Sequence, residues 1–328
     1  MNRFPGTLDA AVADWLEGRT GGLAARSGAM SSAYRAGRTS GGIDLAAYLA
    51  ARLPATFAVN ARVLAEVAGA MPGFVPASLA DVGAGPGTAG WAALAEWSSI
   101  SSVEQVEATP AFTELLRELN AASGVAALER ARVREQALVQ WQVRPHDLVT
   151  ASYVLAEMPL ASVADAVRKL WSATGQVLVL IEPGTPEGFR RIHAAREVLR
   201  GAGAEIVAPC THGAACPMAG GDWCHFKERV QRSRAHMHAK GATVPFEDEP
   251  YSYLVVAKAP LSPSDSSPNK LGKREVARVL APPEVSKVGV GLKLCSADGL
   301  VKRVVPARDK AAYKRAKKVD WGDLWPPR

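Results

Sequence analysis

The sequence predicts an α/β chain built on a doubly wound, mostly parallel sheet. A helical cap precedes the sheet and a small basic module follows it. Three observations predict this. A glycine turn, DVGAGPGTAG, stands between an apolar strand pattern and a helical one. From residue 77 to 258, β-rich apolar runs alternate with helical periodicity. The excess positive charge lies entirely near the C-terminus.

Residues 1–76 read as mostly helical, through AAVADWL and DLAAYLAARLPATFAVNARVLAEVAGAM. They form a cap over the sheet. The first strand ends in Asp81, and Gly83, Gly85 and Gly87 then form a tight turn into a helix that begins near Thr88. Glycines admit a ligand close to the backbone, and a helix N-terminus offers free N–H groups. An acidic residue about 20 residues on is the expected partner of ribose hydroxyls. Glu107 stands there, with Glu104 as the alternative. The G-K-[ST] of a phosphate-cradling loop is missing, which argues against ATP; a dinucleotide site is the competing reading. HDLVTASYVLAEMP reads as strand four, GQVLVLIEPGTPEGFRRIHAAREVL as strand five and its helix, and EPYSYLVVAK as the last strand. The acid before the glycines and the later E-A-T-P-A-F resemble S-adenosylmethionine (SAM) methyltransferases. The α/β domain thus spans 77–258, with a cysteine loop inserted at 208–240. APLSPSDSSPNKLG, residues 259–272, is rich in Pro and Ser and reads as a linker. Residues 273–328 are a basic module of two or three short strands and a helix, docked through Cys295.

The 328 residues contain four cysteines, and three share one polar stretch as C-x5-C-x7-C: Cys210, Cys216 and Cys224. Cys295 follows far downstream. Such thiolates can close a tetrahedral site that staples the C-terminal segment to the rest. Spacing leaves an iron–sulfur cluster and a structural zinc both open. His212, His225, His236 and His238 keep a Cys3His zinc site in play. Two disulfides are the bland alternative, and a reducing compartment disfavours them.

From residue 269 onward there are fifteen Lys/Arg against six Asp/Glu, while residues 1–268 hold twenty-four against twenty-six. Concentrated cations, notably Lys302, Arg303, Lys314, Arg315, Lys317 and Lys318, fit a nucleic-acid surface, with Tyr313, Trp321 and Trp325 available to stack bases. KERVQRSRAHMHAK is expected to extend that surface toward the cysteines. A solvated basic helix is the bland alternative. No run approaches the ~20 apolar residues of a membrane span. The start carries Asp9, Asp14 and Glu17 without an apolar run behind basic residues, so it reads as neither secretory signal nor transit peptide, and the expectation is cytoplasm.

Together these features resemble the methyltransferase-like small-ribosomal-subunit assembly factors. The residues that carry the resemblance cover almost the whole chain: R-x-P-A-T at 52–56, DVGAGPGTAGWAA at 81–93, DLVTASYVLAEMP at 147–159, LIEPGTPEGFRRIHAAR at 180–196, PCTHGAACPM and DWCHF within 209–226, and YKRAKKVDWGDLWP at 313–326. The resemblance implies a 4Fe–4S cluster on Cys210, Cys216, Cys224 and Cys295, and binding to small-subunit rRNA during assembly. It implies SAM as the ligand of the glycine loop, whether retained or lost.

Methyl transfer finds little support in the residues. Exocyclic-amine methyltransferases place [ND]-P-P-[YF] after strand four to hold a flipped base; here the chain reads Ser152-Tyr153-Val154-Leu155. Pro209-Cys210 superficially resembles a cytosine-C5 motif, but it lies after strand five and its thiol belongs to the cysteine set. Tyr153 and Glu157 lie near the ligand edge of strand four without a firm role. The leading reading is an rRNA-binding assembly factor on a methyltransferase scaffold. The alternatives are an active SAM-dependent rRNA methyltransferase and a small-molecule methyltransferase with a redox-sensing cluster.

Overall fold

The computed structural model describes residues 4–35, 43–218, 221–232, 236–237, 240–241, 243–258 and 276–326. The expected linker and His238 lie outside the described residues.

Apolar runs buried on both faces become central strands. β1 (Ser78–Val82) lies between β2 (Ser102–Glu107) and β4 (His146–Ser152), parallel to both. β3 (Arg132–Glu135) extends one side; β5 (Thr174–Pro183) extends the other. Strand alternation sorts the side chains. Val177, Val179 and Ile181 face one layer; Leu178 and Leu180 face the other. The first layer holds the N-terminal helices α1 (Gly6–Leu16), α2 (Leu23–Arg35), α3 (Leu45–Ala51) and α4 (Leu53–Ala70), with α5 (Thr88–Glu96), α6 (Pro110–Ala121) and the short α7 (Ala126–Glu129). The second holds α8 (Val163–Ala173) and α9 (Pro186–Gly201). This is the expected doubly wound arrangement, and the winding reverses between β1 and β4.

The far edge differs from the expectation of one last strand. A further strand, β6 (Glu205–Ala208), precedes the cysteine loop. β8 (Phe246–Ala257) inserts antiparallel between β5 and β6. Its first half instead pairs with β7 (Phe226–Gln231), which emerges directly from Cys224. β6 has only four residues, too few to display a period.

The C-terminal module is a five-stranded antiparallel sheet. The expected strands are β11 (Gly289–Ser296) and β12 (Gly299–Pro306), paired as a hairpin. Three shorter ones join them: β9 (Ala277–Val279), β10 (Glu284–Val285) and β13 (Leu324–Trp325). The helix α10 (Lys310–Ala316) buries Ala316 against this sheet. Among the described residues, no helix is long and apolar enough to cross a membrane.

Candidate functional sites: a ligand crevice and a four-thiol array

The crevice lies outside the C-terminal ends of β1, β2 and β4. Gly83, Gly85 and Gly87 all have positive φ, 68°, 53° and 87°. Gly83 and Ala84 N–H donate to the Val106 carbonyl at 2.7 and 3.0 Å, fastening the turn to β2. Glu107 closes β2; its Oε2 accepts from Gly85 N–H at 2.8 Å and its Oε1 from Thr109 N–H at 2.8 Å. It is buried beside the glycine turn, at the end of β2 where the ribose partner was expected. Glu104 does not lie there. It points into the sheet's flank, accepting from Trp141 Nε1 at 3.0 Å.

Asp81 is spent inside the protein. Its carboxylate accepts from Gly90 N–H at 2.9 Å and the Thr150 hydroxyl at 3.0 Å. Burial pushes it up to about 7 against those two bonds. It anchors the turn and α5 to β4 and has no oxygen on the crevice. Glu157 is at the open lip, raised to about 7 by desolvation and then by the charge of Glu107 across the crevice. Tyr153 turns inward. Its ring lies 5.7 Å from the Arg52 guanidinium, and its buried hydroxyl has no partner. Val154 takes the lip in its place and packs on Gly83. The space beside Gly85 is open, while Val154 lies against Gly83.

The second site collects thiols from three parts of the chain. Cys210 follows β6, Cys216 and Cys224 come from the loop before β7, and Cys295 sits on β11; all four are free. Burial raises the Cys224 thiol well above its ordinary range, reinforced by Cys210, Cys295 and Cys216. Burial likewise pushes Cys295 up to about 12, with Cys210 and Cys216 adding to it. Each of these thiols is therefore in the field of the others. Two buried arginines face the array. Arg196, on the inner side of α9, feels Cys210 and Cys216 and donates to the carbonyls of His212 and Ala214 at 3.2 and 2.6 Å. Arg278, on β9, donates to Pro209 O at 2.7 Å and Gly322 O at 2.6 Å, and pairs with Glu66 at 2.6 Å. Among the described residues, no group of three or more His, Cys, Asp or Glu side chains is placed to hold a metal ion.

Of the candidate histidines, His212 stands against the array, with Nε2 3.8 Å from Cys295 Sγ. His225 is stacked 4.9 Å from Trp223, and His236 is buried against Glu247 at 3.1 Å. The C-terminal module docks around the array. Lys293 forms an ion pair with Asp222, and Trp321 meets His225 edge-on at 4.9 Å. Arg196, Arg278 and Val154 were not among the expected site residues. An arginine enclosed by apolar neighbours, as in VARVLA around Arg278, is the sequence signal that marks a buried cation.

The basic surface is smaller than the charge count suggests. Lys314 and Arg315 on α10, and Lys317 and Lys318 after it, are exposed. Lys302 and Arg303 are exposed too, but adjacent strand residues point to opposite faces, so Lys302 lies on the Cys295 face and Arg303 does not. Trp325 is buried in the module's core, and Tyr313 packs there with its hydroxyl on Ser286 O at 2.8 Å. Neither serves as an open stacking platform. Among the described residues of KERVQRSRAHMHAK, acids on β8 pair with three of the cations expected to extend the surface: Arg229 with Asp248 at 2.9 Å, and Arg232 and Lys240 with Glu247 at 2.9 and 3.5 Å.

A family model described as mitochondrial small ribosomal subunit Rsm22 matches residues 43–326. The chain belongs to this family. It is 28% identical over 296 residues to the human ribosome assembly protein METTL17, mitochondrial, covering 85% of this chain and 62% of that one. It is also 28% identical over 291 residues to the Rsm22-cox11 tandem protein 2, mitochondrial, of Schizosaccharomyces pombe, covering 75% and 38%. This Rsm22-family chain thus spans less than two thirds of the length of either relative. Both relatives are mitochondrial by name, so they lend no support to the cytoplasmic expectation. Among solved structures, magnesium protoporphyrin IX methyltransferase from Synechocystis with bound SAM is 14% identical, covers 70% of this chain and 90% of its own, and has a TM-score of 0.43.

Proposed function

We propose that this Rsm22-family chain is a small-ribosomal-subunit assembly factor that binds rRNA, with Cys210, Cys216, Cys224 and Cys295 holding a 4Fe–4S cluster. The observation that carries this reading is the convergence of four free thiols, with burial raising those of Cys216, Cys224 and Cys295, and two buried guanidinium groups. Desolvation raises a thiol's pKa, and such thiols ionise readily only when a positive centre compensates. Arg196 and Arg278 supply part of that compensation. Arg196 hydrogen-bonds to Cys210, and the buried Thr211 hydroxyl has no partner among the described residues; such donors suit sulfur acceptors. Four thiols would suit zinc as well as a cluster; the family resemblance is what favours the cluster. When bound, the cluster would supply a covalent staple between the cysteine loop and β11.

The chain's own residues supply the rest. Arg278 and Lys293 hold the module against the loop. Lys314, Arg315, Lys317 and Lys318 offer an exposed cluster to phosphates. The ribosome assembly role named for the human relative supports the reading. An active rRNA methyltransferase is a weaker reading, because Asp81 is occupied internally and the crevice is partly filled.

The test is anaerobic purification, with iron, sulfide and zinc analysis and salt-dependent binding to small-subunit rRNA. About four irons and four sulfides per chain are expected for a cubane. Reversing the four exposed cations should weaken binding and lower the salt slope by about 3, since each phosphate contact contributes roughly 0.7–0.9. Zinc alone at one per chain would refute the cluster. An unaltered rRNA affinity after charge reversal would refute the interface.

A further inference from the structure

We infer that the crevice beside the glycine turn takes an adenosine-like nucleoside and excludes the amino-acid arm of SAM, with Val154 as the residue that decides this. In an open α/β sheet, ligands lie outside the carboxyl ends of the strands, where the winding reverses. Here the reversal separates β1 from β4, and the spatial order β2-β1-β4 sets the path. A ligand whose ribose rests on Glu107 at the end of β2 must cross the turn after β1 to reach the segment after β4.

The first half of this path is open. A Cβ built on Gly85 would meet nothing within 4 Å. The second half is closed. A Cβ built on Gly83 would overlap a Val154 methyl and stand 3.3 Å from Val154 Cβ. Glycine at 83 therefore serves packing by a side chain from the opposite lip, not close approach by a ligand.

Val154 is built into place. Tyr153 is the one non-glycine residue with positive φ, 64°, among the described residues. That conformation is strained for a residue with a side chain and persists only where the surroundings over-determine it. They do so here. Tyr153 N–H donates to Ile181 O at 2.7 Å, and Leu155 N–H to Glu182 Oε1 at 2.8 Å. Arg191 holds Leu155 O at 2.7 Å and Met158 O at 3.1 Å. With both flanks pinned, the backbone turn at 153 directs Val154 onto Gly83.

The test uses the full chain, purified without oxygen, with adenosine and SAM as separate probes in isothermal titration. The wild type should bind the two within about threefold of each other, well under the tenfold that 1.4 kcal/mol would bring. V154A should tighten SAM by about tenfold or more and leave adenosine within about threefold. V154T keeps the side-chain volume and should match the wild type, which separates lost volume from a disturbed fold. The inference is overturned if the wild type binds SAM at least about tenfold tighter than adenosine, binds neither probe, or if V154A shifts both probes equally. Because the cluster and the α10 cations lie elsewhere, rRNA affinity measured on the same variants tests the assembly-factor reading separately.

Discussion

Replacing Arg278 with methionine removes one guanidinium that joins three separate segments. Its Nε donates to Pro209 O at 2.7 Å, beside Cys210, and its Nη1 to Gly322 O at 2.6 Å in the WGDLW turn. Its Nη2 pairs with Glu66 Oε1 of α4 at 2.6 Å. The side chain is 7% exposed and that of Glu66 is 20% exposed. R278M therefore leaves a largely buried carboxylate with the Tyr253 hydroxyl, which donates to Glu66 Oε2 at 2.6 Å, and the nearby Arg62 charge as its remaining partners. Breaking a buried pair from one side costs about 3–5 kcal/mol. Each buried carbonyl left without a donor adds on the order of 1 kcal/mol, and the terms overlap. The expected loss is about 4 kcal/mol, or roughly a thousandfold in the folded-to-unfolded ratio. Urea unfolding at constant m measures it. The double variant E66L/R278M removes both charges and should recover about half of that loss, because the two carbonyls stay unpaired. A single-variant loss under about 1 kcal/mol, or a cycle without coupling between positions 66 and 278, would refute the argument.

Other outcomes follow from the same contacts. C295S should lower iron per chain and expose the segment from 276 to proteolysis, because β11 carries the distant ligand; an unchanged iron content with an intact protease pattern would sink the staple. Glu182 is fully buried, and burial pushes it up to about 8, with Leu155 N–H and Arg191 opposing. Its folded value lies above its unfolded one. Its contribution is therefore intact below about pH 4.5 and is lost as pH climbs through about 8, on the order of 4 kcal/mol across that window. E182Q should flatten this part of the profile, so its melting temperature should gain on the wild type between about pH 5 and 9. A constant gap would count against a neutral Glu182. Glu247 is the opposite case. Burial raises it, but His236, Arg232 and Lys240 hold it at about 2. Its contribution is present above about pH 4.5 and fades toward pH 2, so E247Q should lose stability at neutral pH and match the wild type near about pH 2.

Much of the main domain could be read from the chain. β1, β4 and β5 are apolar runs whose length and flanking glycines separate strand from helix, and Thr88 does open α5. β6, β9, β10 and β13 have two to four residues each and are strands only because partners hold them. The six basic site residues are exposed, but Arg229, Arg232 and Lys240 after Cys224 pair with acids on β8, whose antiparallel pairing sets Arg229 opposite Asp248.

The sequence by itself determined the doubly wound sheet, the glycine turn with Glu107 beside it, and the set of four thiols. These depend on local spacing and on hydrophobic period, which act within a few residues. Tertiary structure decided what those pieces face. It turned Asp81 inward onto Gly90 and Thr150, set Arg196 and Arg278 against the thiols, buried Trp325, and laid Val154 over Gly83. Each of these depends on a contact between distant segments, or on the sign of one backbone angle, and neither is written in local composition.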